Sequence, residues 1–307
     1  MNWAGVMPAM TTAFDANYAV DHAFLEQHAA WLLANGCTGL VMLGSLGEGA
    51  TLEPEEKVEI LNTALRAAKG KAPVVAAISS LSTASAVKLA KQAEQAGCEG
   101  LLVLPPYVYS TDWREMKNHV SEIIAATKLS CMLYNNPVAY KTDFLPEQIA
   151  ELAQQHENLH SVKESSTDVR RVAAIRAILQ NRLEIFVGVD DVLVEAVVAG
   201  ATGWIAGLVN AFPAESVELF NLARAGKHEE AFALYRWFLP LLRMDTVPKF
   251  VQLIKLVQEE VGVGSARVRA PRLKLEGAEL ATAQKELQTA LQNRPKIAEV
   301  PFSKLNE

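Results

Sequence analysis

Short apolar runs alternate with longer amphipathic ones almost to residue 224 of this 307-residue chain, and few folds accept that rhythm. The short runs are Val6–Met10, Gly39–Leu43, Val74–Ile78, Gly100–Leu104, Ser130–Tyr134, Leu159–Lys163, Glu184–Val187 and Gly203–Gly207. Helical patterns fall between them, near 22–35, 54–69, 82–96, 112–127, 146–156, 168–179, 190–199 and 213–224. Near-continuous apolar strands, each followed by a helix, imply a parallel sheet covered by helices. Eight such units in this length predict an α/β chain folded as a (β/α)8 TIM barrel. A doubly wound open sheet is the competing arrangement. Beyond residue 225 the alternation gives way to three helical patterns, near 228–243, 246–261 and 277–292. The expected division is therefore a catalytic barrel over 1–224 and a C-terminal helical appendage over 225–307.

A faint internal repeat favours the closed ring. Asn35-Gly36-Cys37-Thr38-Gly39-Leu40-Val41 recurs as Ala96-Gly97-Cys98-Glu99-Gly100-Leu101-Leu102 and as Ala199-Gly200-Ala201-Thr202-Gly203-Trp204-Ile205. The first glycine of each copy suits the left-handed position just past a helix end, and the second suits a tight entry into the next strand.

Charge and composition narrow the partners. A formal charge of −6, with no basic cluster, argues against nucleic acid. No run approaches the ~18 apolar residues of a membrane span, and the start of the chain lacks a signal-peptide pattern. Cys37, Cys98 and Cys131 are too few and scattered for a disulfide framework, and the histidines lack ligand spacing, so neither metal nor cofactor is expected. A reducing, cytoplasmic location follows.

Active sites of such barrels gather at the strands' C-terminal ends. The sixth strand delivers Lys163 there. An amine that attacks a carbonyl must be unprotonated, and bringing an ordinary lysine from about 10.4 to near neutrality takes roughly 4 kcal/mol of differential interaction, which burial can supply. Such an amine forms a Schiff base with a 2-oxo acid; the bland alternative is a lysine snorkelling to the rim. The second strand ends in Gly44-Ser45-Leu46-Gly47-Glu48, whose glycines and N–H groups suit a carboxylate or merely a turn. The fifth ends in Tyr134-Asn135-Asn136-Pro137, where the phenol suits proton relay or a half-wet core position. Tyr107 and Tyr109, after the fourth strand, suit a pocket wall or an oligomer contact. Asp190 and Asp191 read as helix caps.

Together these segments make the chain resemble the dihydrodipicolinate synthase / N-acetylneuraminate lyase family along essentially its whole length. Gly44-Ser45-Leu46-Gly47-Glu48 is similar to the family's G-[ST]-x-G-E, Tyr134-Asn135-Asn136-Pro137 to its Y-N-x-P, and Lys163-Glu164-Ser165-Ser166 to its K-[ED]-[SA]-[ST]. Gly200 through Asn210 follows its G-x-x-G-x-[IV]-x-x-x-x-N. The resemblance implies Lys163 as Schiff-base lysine, Tyr134 as proton shuttle, and Ser45 with loop N–H groups, including those about Leu46 and Gly47, around the substrate carboxylate. It also implies Ile205 flanking the substrate and a homotetramer built as a dimer of dimers.

Three departures bear on substrate. Leu46 stands where the family usually has a second hydroxyl, which removes a hydrogen-bond donor and makes that side of the pocket more apolar. Val138-Ala139-Tyr140 stands where the synthases place an arginine for a second carboxylate, which puts Tyr140 against the substrate. Val108 falls where they carry an interface tyrosine, so Tyr107 or Tyr109 is needed in its place. The pairing of Leu46 with Asn135-Asn136-Pro137-Val138-Ala139-Tyr140 looks most like the dehydratase/deaminase branch, and the expected function is a Schiff-base lyase acting on a small 2-oxo acid or cyclic imine, in particular 1-pyrroline-4-hydroxy-2-carboxylate deaminase. The alternatives are 4-hydroxy-tetrahydrodipicolinate synthase, a pyruvate-releasing aldolase, and a non-enzymatic barrel that binds a 2-oxo acid for regulation.

Overall fold

The computed structural model describes residues 1–106 and 112–306. Eight parallel strands form one sheet: β1 (Gly5–Pro8), β2 (Leu40–Met42), β3 (Val74–Ile78), β4 (Gly100–Val103), β5 (Ser130–Asn135), β6 (Leu159–Glu164), β7 (Glu184–Val187) and β8 (Gly203–Ala206). The spatial order β1-β8-β7-β6-β5-β4-β3-β2 has no reversal, which excludes the doubly wound alternative. β1 meets β8 in register from Gly5↔Gly203 to Pro8↔Ala206. The ring is completed by Thr38 N–H donating to Val6 O and Met10 N–H donating to Val41 O, both at 2.9 Å. The fold is a (β/α)8 TIM barrel with C-terminal helices.

The helices are α1 (His22–Ala34), α2 (Pro54–Ala68), α3 (Thr83–Ala96), α4 (Trp113–Ala125), α5 (Pro137–Tyr140), α6 (Pro146–Gln155), α7 (Arg170–Leu179), α8 (Leu193–Val198), α9 (Pro213–Arg224), α10 (His228–Leu242), α11 (Phe250–Glu260) and α12 (Gly277–Gln292). Their starts follow local chemistry. Pro54 occupies the first turn of α2, where a missing N–H costs nothing, and the Glu56 carboxylate accepts from Glu53 N–H at 2.9 Å. Gly36, Gly97 and Gly200 all lie in the left-handed region (φ 92°, 101° and 112°), as the repeat requires. The helix expected over 190–199 divides into a 3-10 turn (Asp190–Val192) and α8.

Two apolar layers result. The larger lies between sheet and helices and includes Leu25, Ile60, Val162 and Trp204. The smaller fills the barrel's interior: Trp3, Met7, Val41, Val75, Ala77, Leu102, Leu104, Met132, Tyr134, Phe186 and Ile205. Trp3 plugs its floor, donating from Nε1 to Ser130 Oγ at 2.7 Å and meeting Phe186 edge-on at 6.1 Å. The three cysteines are free and buried, and burial pushes the Cys98 and Cys131 thiols up to about 12. Among the described residues no helix is long and apolar enough to cross a membrane, and no group of three or more His, Cys, Asp or Glu could hold a metal ion.

His28, buried on α1, lies with Nε2 2.8 Å from the Asn210 carbonyl oxygen, and burial lowers its pKa to about 4. Its unfolded value is near 6.5, so between those limits the unfolded chain binds the extra proton. That contribution to stability is complete above pH 6.5 and is lost as pH falls towards 4, reaching about 3 kcal/mol. His28→Gln keeps an N–H donor but does not titrate. Urea unfolding at pH 7 and 4.5 should show a fall in stability smaller than that of the wild type by about 2 kcal/mol.

Candidate active site

Alternation along a strand sends every second side chain into the barrel. On β5 that row includes Met132 and Tyr134. On β6 Lys163 pairs in register with Tyr134 on one side and Phe186 on the other. Lys163 is 7% exposed, and its Nζ stands over the Tyr134 ring, 4.2 Å from the centroid. The lysine is therefore inside the mouth, not snorkelling over the rim. Its stem runs where a neighbouring side chain would otherwise be: a Cβ at Gly188, just past β7, would overlap Lys163 Cε and Ser165 Oγ. Ser165 itself is buried, and its hydroxyl has no hydrogen-bond partner among the described residues.

The loop after β2 is tight. Leu43 and Glu48 both adopt left-handed backbone, Gly49 N–H returns to Gly44 O at 3.1 Å, and Glu48 N–H to Ser45 O at 3.1 Å. Thr12 Oγ1 donates to Gly47 O at 2.6 Å. Among the described residues, the N–H groups of Ser45, Leu46 and Gly47 meet no acceptor, an arrangement able to receive an anion. The Leu46 side chain turns away into the layer between sheet and helices.

Glu48 is the loop's anchor. Its buried carboxylate accepts from Lys255 Nζ of α11 at 2.7 Å and from Arg269 N–H at 2.9 Å. Lys255 is 2% exposed and also donates to Arg267 O. Asn135 is a second anchor. Its amide donates to Glu164 at 3.0 Å and Asp143 at 3.1 Å, while its carbonyl accepts from Phe144 N–H at 2.9 Å. Burial, the leading influence, raises the Glu164 pKa, and the hydrogen bonds from Ser166 and Asn135 oppose it.

Asn136 caps the one-turn helix α5, accepting from Ala139 N–H at 2.9 Å, and its amide donates to the Tyr134 hydroxyl at 3.0 Å. α5 swings Tyr140 over the mouth, edge-on to Tyr134 with centroids 5.7 Å apart and hydrogen-bonded to the Ser45 hydroxyl. Ser45, Tyr134, Tyr140 and Lys163 thus come together, with Ile205 in the same interior layer. Tyr107 and Tyr109 lie outside the described residues.

Sequence reasoning passed over three groups. Asp190, read as a helix cap, is buried below the rim and accepts from Trp204 Nε1 at 3.0 Å, Gly207 N–H at 3.1 Å and Leu208 N–H at 3.0 Å. It caps the turn after β8, not its own helix. Burial raises its pKa to about 6 against those hydrogen bonds. Asp245 and Ser165 were not singled out. An acid before an expected helix reads as a cap, and a serine in a motif as spacing.

The dihydrodipicolinate synthetase family model matches residues 2–290. The chain belongs to this family. It is 30% identical over 285 residues to the 4-hydroxy-tetrahydrodipicolinate synthase of Methanococcus aeolicus, covering 92% of this chain and 98% of that protein. It is 34% identical over 230 residues to the enzyme of the same name from Natronomonas pharaonis, covering 75% and 78%. The solved 4-hydroxy-tetrahydrodipicolinate synthase of Methylacidiphilum fumariolicum superposes with a TM-score of 0.90 at 27% identity, over 95% of this chain and 98% of that one. The dihydrodipicolinate synthase of Acinetobacter baumannii, solved with pyruvate, superposes at 0.89 and 25% identity, over 94% and 98%. Family membership makes the chain a class I, lysine Schiff-base lyase and sets aside the regulatory, non-enzymatic barrel. The relatives' names favour the synthase alternative over the deaminase expected from the sequence.

Removing one partner of a buried ion pair strands the other charge, at about 3–5 kcal/mol. Lys255→Met should destabilise the protein by that order in urea unfolding. The double variant Glu48→Gln/Lys255→Met should recover most of the loss, since a neutral amide still accepts from Arg269 N–H.

Proposed function

We infer that Lys163 forms the Schiff base, capturing pyruvate or a pyruvate-like 2-oxo acid. The observation that carries this is the position of its amine, shielded inside the mouth over the Tyr134 ring. In this reading the amine attacks C2, water departs, and the iminium draws electrons from C3 so that a proton can leave to give the enamine. The substrate carboxylate sits on the Ser45 hydroxyl and the N–H groups of Ser45, Leu46 and Gly47. Leu46 contributes its backbone, since its side chain points into the outer layer. Tyr134 shuttles the protons, Ile205 flanks the substrate, and Tyr140, bonded to Ser45, extends the relay towards the loop.

For the second half of the reaction, condensation with an aldehyde is the reading that the named relatives support, as in 4-hydroxy-tetrahydrodipicolinate synthase. One observation favours a second reading, in which 4-hydroxy-1-pyrroline-2-carboxylate loses its C4 hydroxyl as water and is then hydrolysed by two waters to 2-oxoglutarate semialdehyde and ammonia. Tyr140 stands where an arginine would hold a second carboxylate, and its hydroxyl is engaged with Ser45. A cytoplasmic homotetramer, a dimer of dimers with the barrel over 1–224 as its catalytic unit, completes the proposal.

Borohydride reduction in the presence of pyruvate should add one reduced pyruvate to a peptide containing Lys163, and Lys163→Met should take up none. An adduct elsewhere, or none with any 2-oxo acid, refutes the assignment. Incubation with pyruvate plus aspartate semialdehyde, and separately with the hydroxypyrroline carboxylate, distinguishes the branches: a cyclic condensation product supports the synthase, ammonia the deaminase.

A further inference from the structure

Two neighbouring staves end their inward rows in glycine. Phe186 and Gly188 follow one another on the interior side of β7, and Gly203, Ile205 and Gly207 on that of β8. Neither vacancy is empty. The space beside Gly188 holds Lys163 and Ser165, and the space beside Gly207 holds the carboxyl of Asp245, which a Cβ there would overlap. Asp245 comes from the turn Arg243–Asp245, between α10 and α11, so the helical extension inserts an acid into the barrel mouth beside β8, two staves from the one that carries the lysine.

Its surroundings differ from those of Asp190, which lies on the other side of Gly207. Asp190 is held by three donors, whereas none among the described residues engages Asp245. Asp245 is half-buried, its carboxyl packed against Gly207, and no donor there offsets what it loses as an anion. Burial and then the Asp190 charge keep the Asp245 pKa well above the ordinary carboxylate range. Lys163 on β6 opposes them, and Asp191, which faces Arg243 at 3.6 Å, adds to them. Among the described residues, the phenols of Tyr134 and Tyr140 are the other titratable groups at this mouth. An acid that keeps its proton beside a reacting centre is placed to give it away.

We propose that Asp245 is a catalytic acid of this site, delivering its proton to the oxygen on C4 of the substrate, with the carboxylate carbon as C1. The proposal rests on Lys163 as the Schiff-base amine and is common to both reactions considered above. In condensation, enamine C3 bonds to the aldehyde carbon and the nitrogen lone pair forms the C2=N iminium. The carbonyl π pair moves to oxygen, which takes the Asp245 proton and becomes the C4 hydroxyl. In elimination, the nitrogen pair again forms the iminium, C3=C4 forms and the C4–O bond breaks. The oxygen then leaves as water with the Asp245 proton. Either way Asp245 is left as a carboxylate that water reprotonates, and no oxidant or reductant is required. The substrate class is thus 2-oxo acids oxygenated at C4, or the aldehydes that generate them.

The test separates steps that involve C4 from one that does not. Exchange of pyruvate methyl protons in D2O, followed by NMR, needs the enamine but has no C4 oxygen. For Asp245→Asn, turnover of whichever C4 reaction the wild type performs should fall about a hundredfold further than exchange does. Asp245→Glu should regain part of the difference, and the arm of the kcat–pH profile that follows loss of the acid's proton should disappear in Asp245→Asn. Equal loss of exchange and turnover would mark a structural residue, and unchanged turnover a spectator; either overturns the proposal. So does a wild type that exchanges pyruvate protons yet turns over neither C4 substrate. A wild type that neither exchanges nor traps pyruvate instead sinks the lysine assignment, and this proposal with it.

Discussion

A buried ion pair joins the barrel to its extension. Glu48 closes the loop that carries Ser45, in left-handed backbone and wholly out of solvent, and Lys255 of α11 meets it there. Two charges so deep are a poor source of net stability, because desolvation consumes most of their attraction. Their value is geometric: the loop has one arrangement in which neither charge is stranded. The Lys255 ammonium also stands 4.4 Å from the Phe14 ring centroid, with the Arg269 guanidinium carbon 4.5 Å from it, so the strap over 267–272 is drawn onto the same rim. The turn bearing Asp245 precedes α11 and inherits this placement.

The other constraint is space. A parallel eight-stranded barrel fills its own interior, and here Trp3, Met7 and Phe186 close the floor. The mouth stays open to chemistry because side chains are missing from the inner face at Gly188 and Gly207. The polar groups that project there are braced from behind: Tyr134 through Asn136, Lys163 through the strand pair with Tyr134, and the β8 turn through Asp190 and Asn210. Such bracing keeps reacting groups within the narrow tolerances that acid–base and Schiff-base chemistry demand.

The barrel was legible in the sequence because most strands are apolar on both faces while most of the helices between them are amphipathic. The placing of Lys163, Tyr134 and Ser45 at one mouth was legible because all three stand at the C-terminal ends of strands. Tyr140 was expected against the substrate, but the helix that presents it was missed: four residues are too few for a period, although Asn136-Pro137 is a recognisable cap and first turn. The outward direction of the Leu46 side chain was not legible, because a tight loop carries no periodicity from which to read it. Asp245 was invisible for a different reason. Its importance depends on the absence of a side chain at Gly207, a residue far from it in sequence, and no local pattern records such complementarity.

The acid at the mouth belongs to a segment that takes no part in closing the ring. Strand register, floor packing and helix-to-strand joints are all satisfied without residues 243–245. A lineage can therefore rewrite the chemistry offered to the far end of its substrate by editing one turn of peripheral chain, while the machinery that captures the near end passes unaltered from ancestor to descendant.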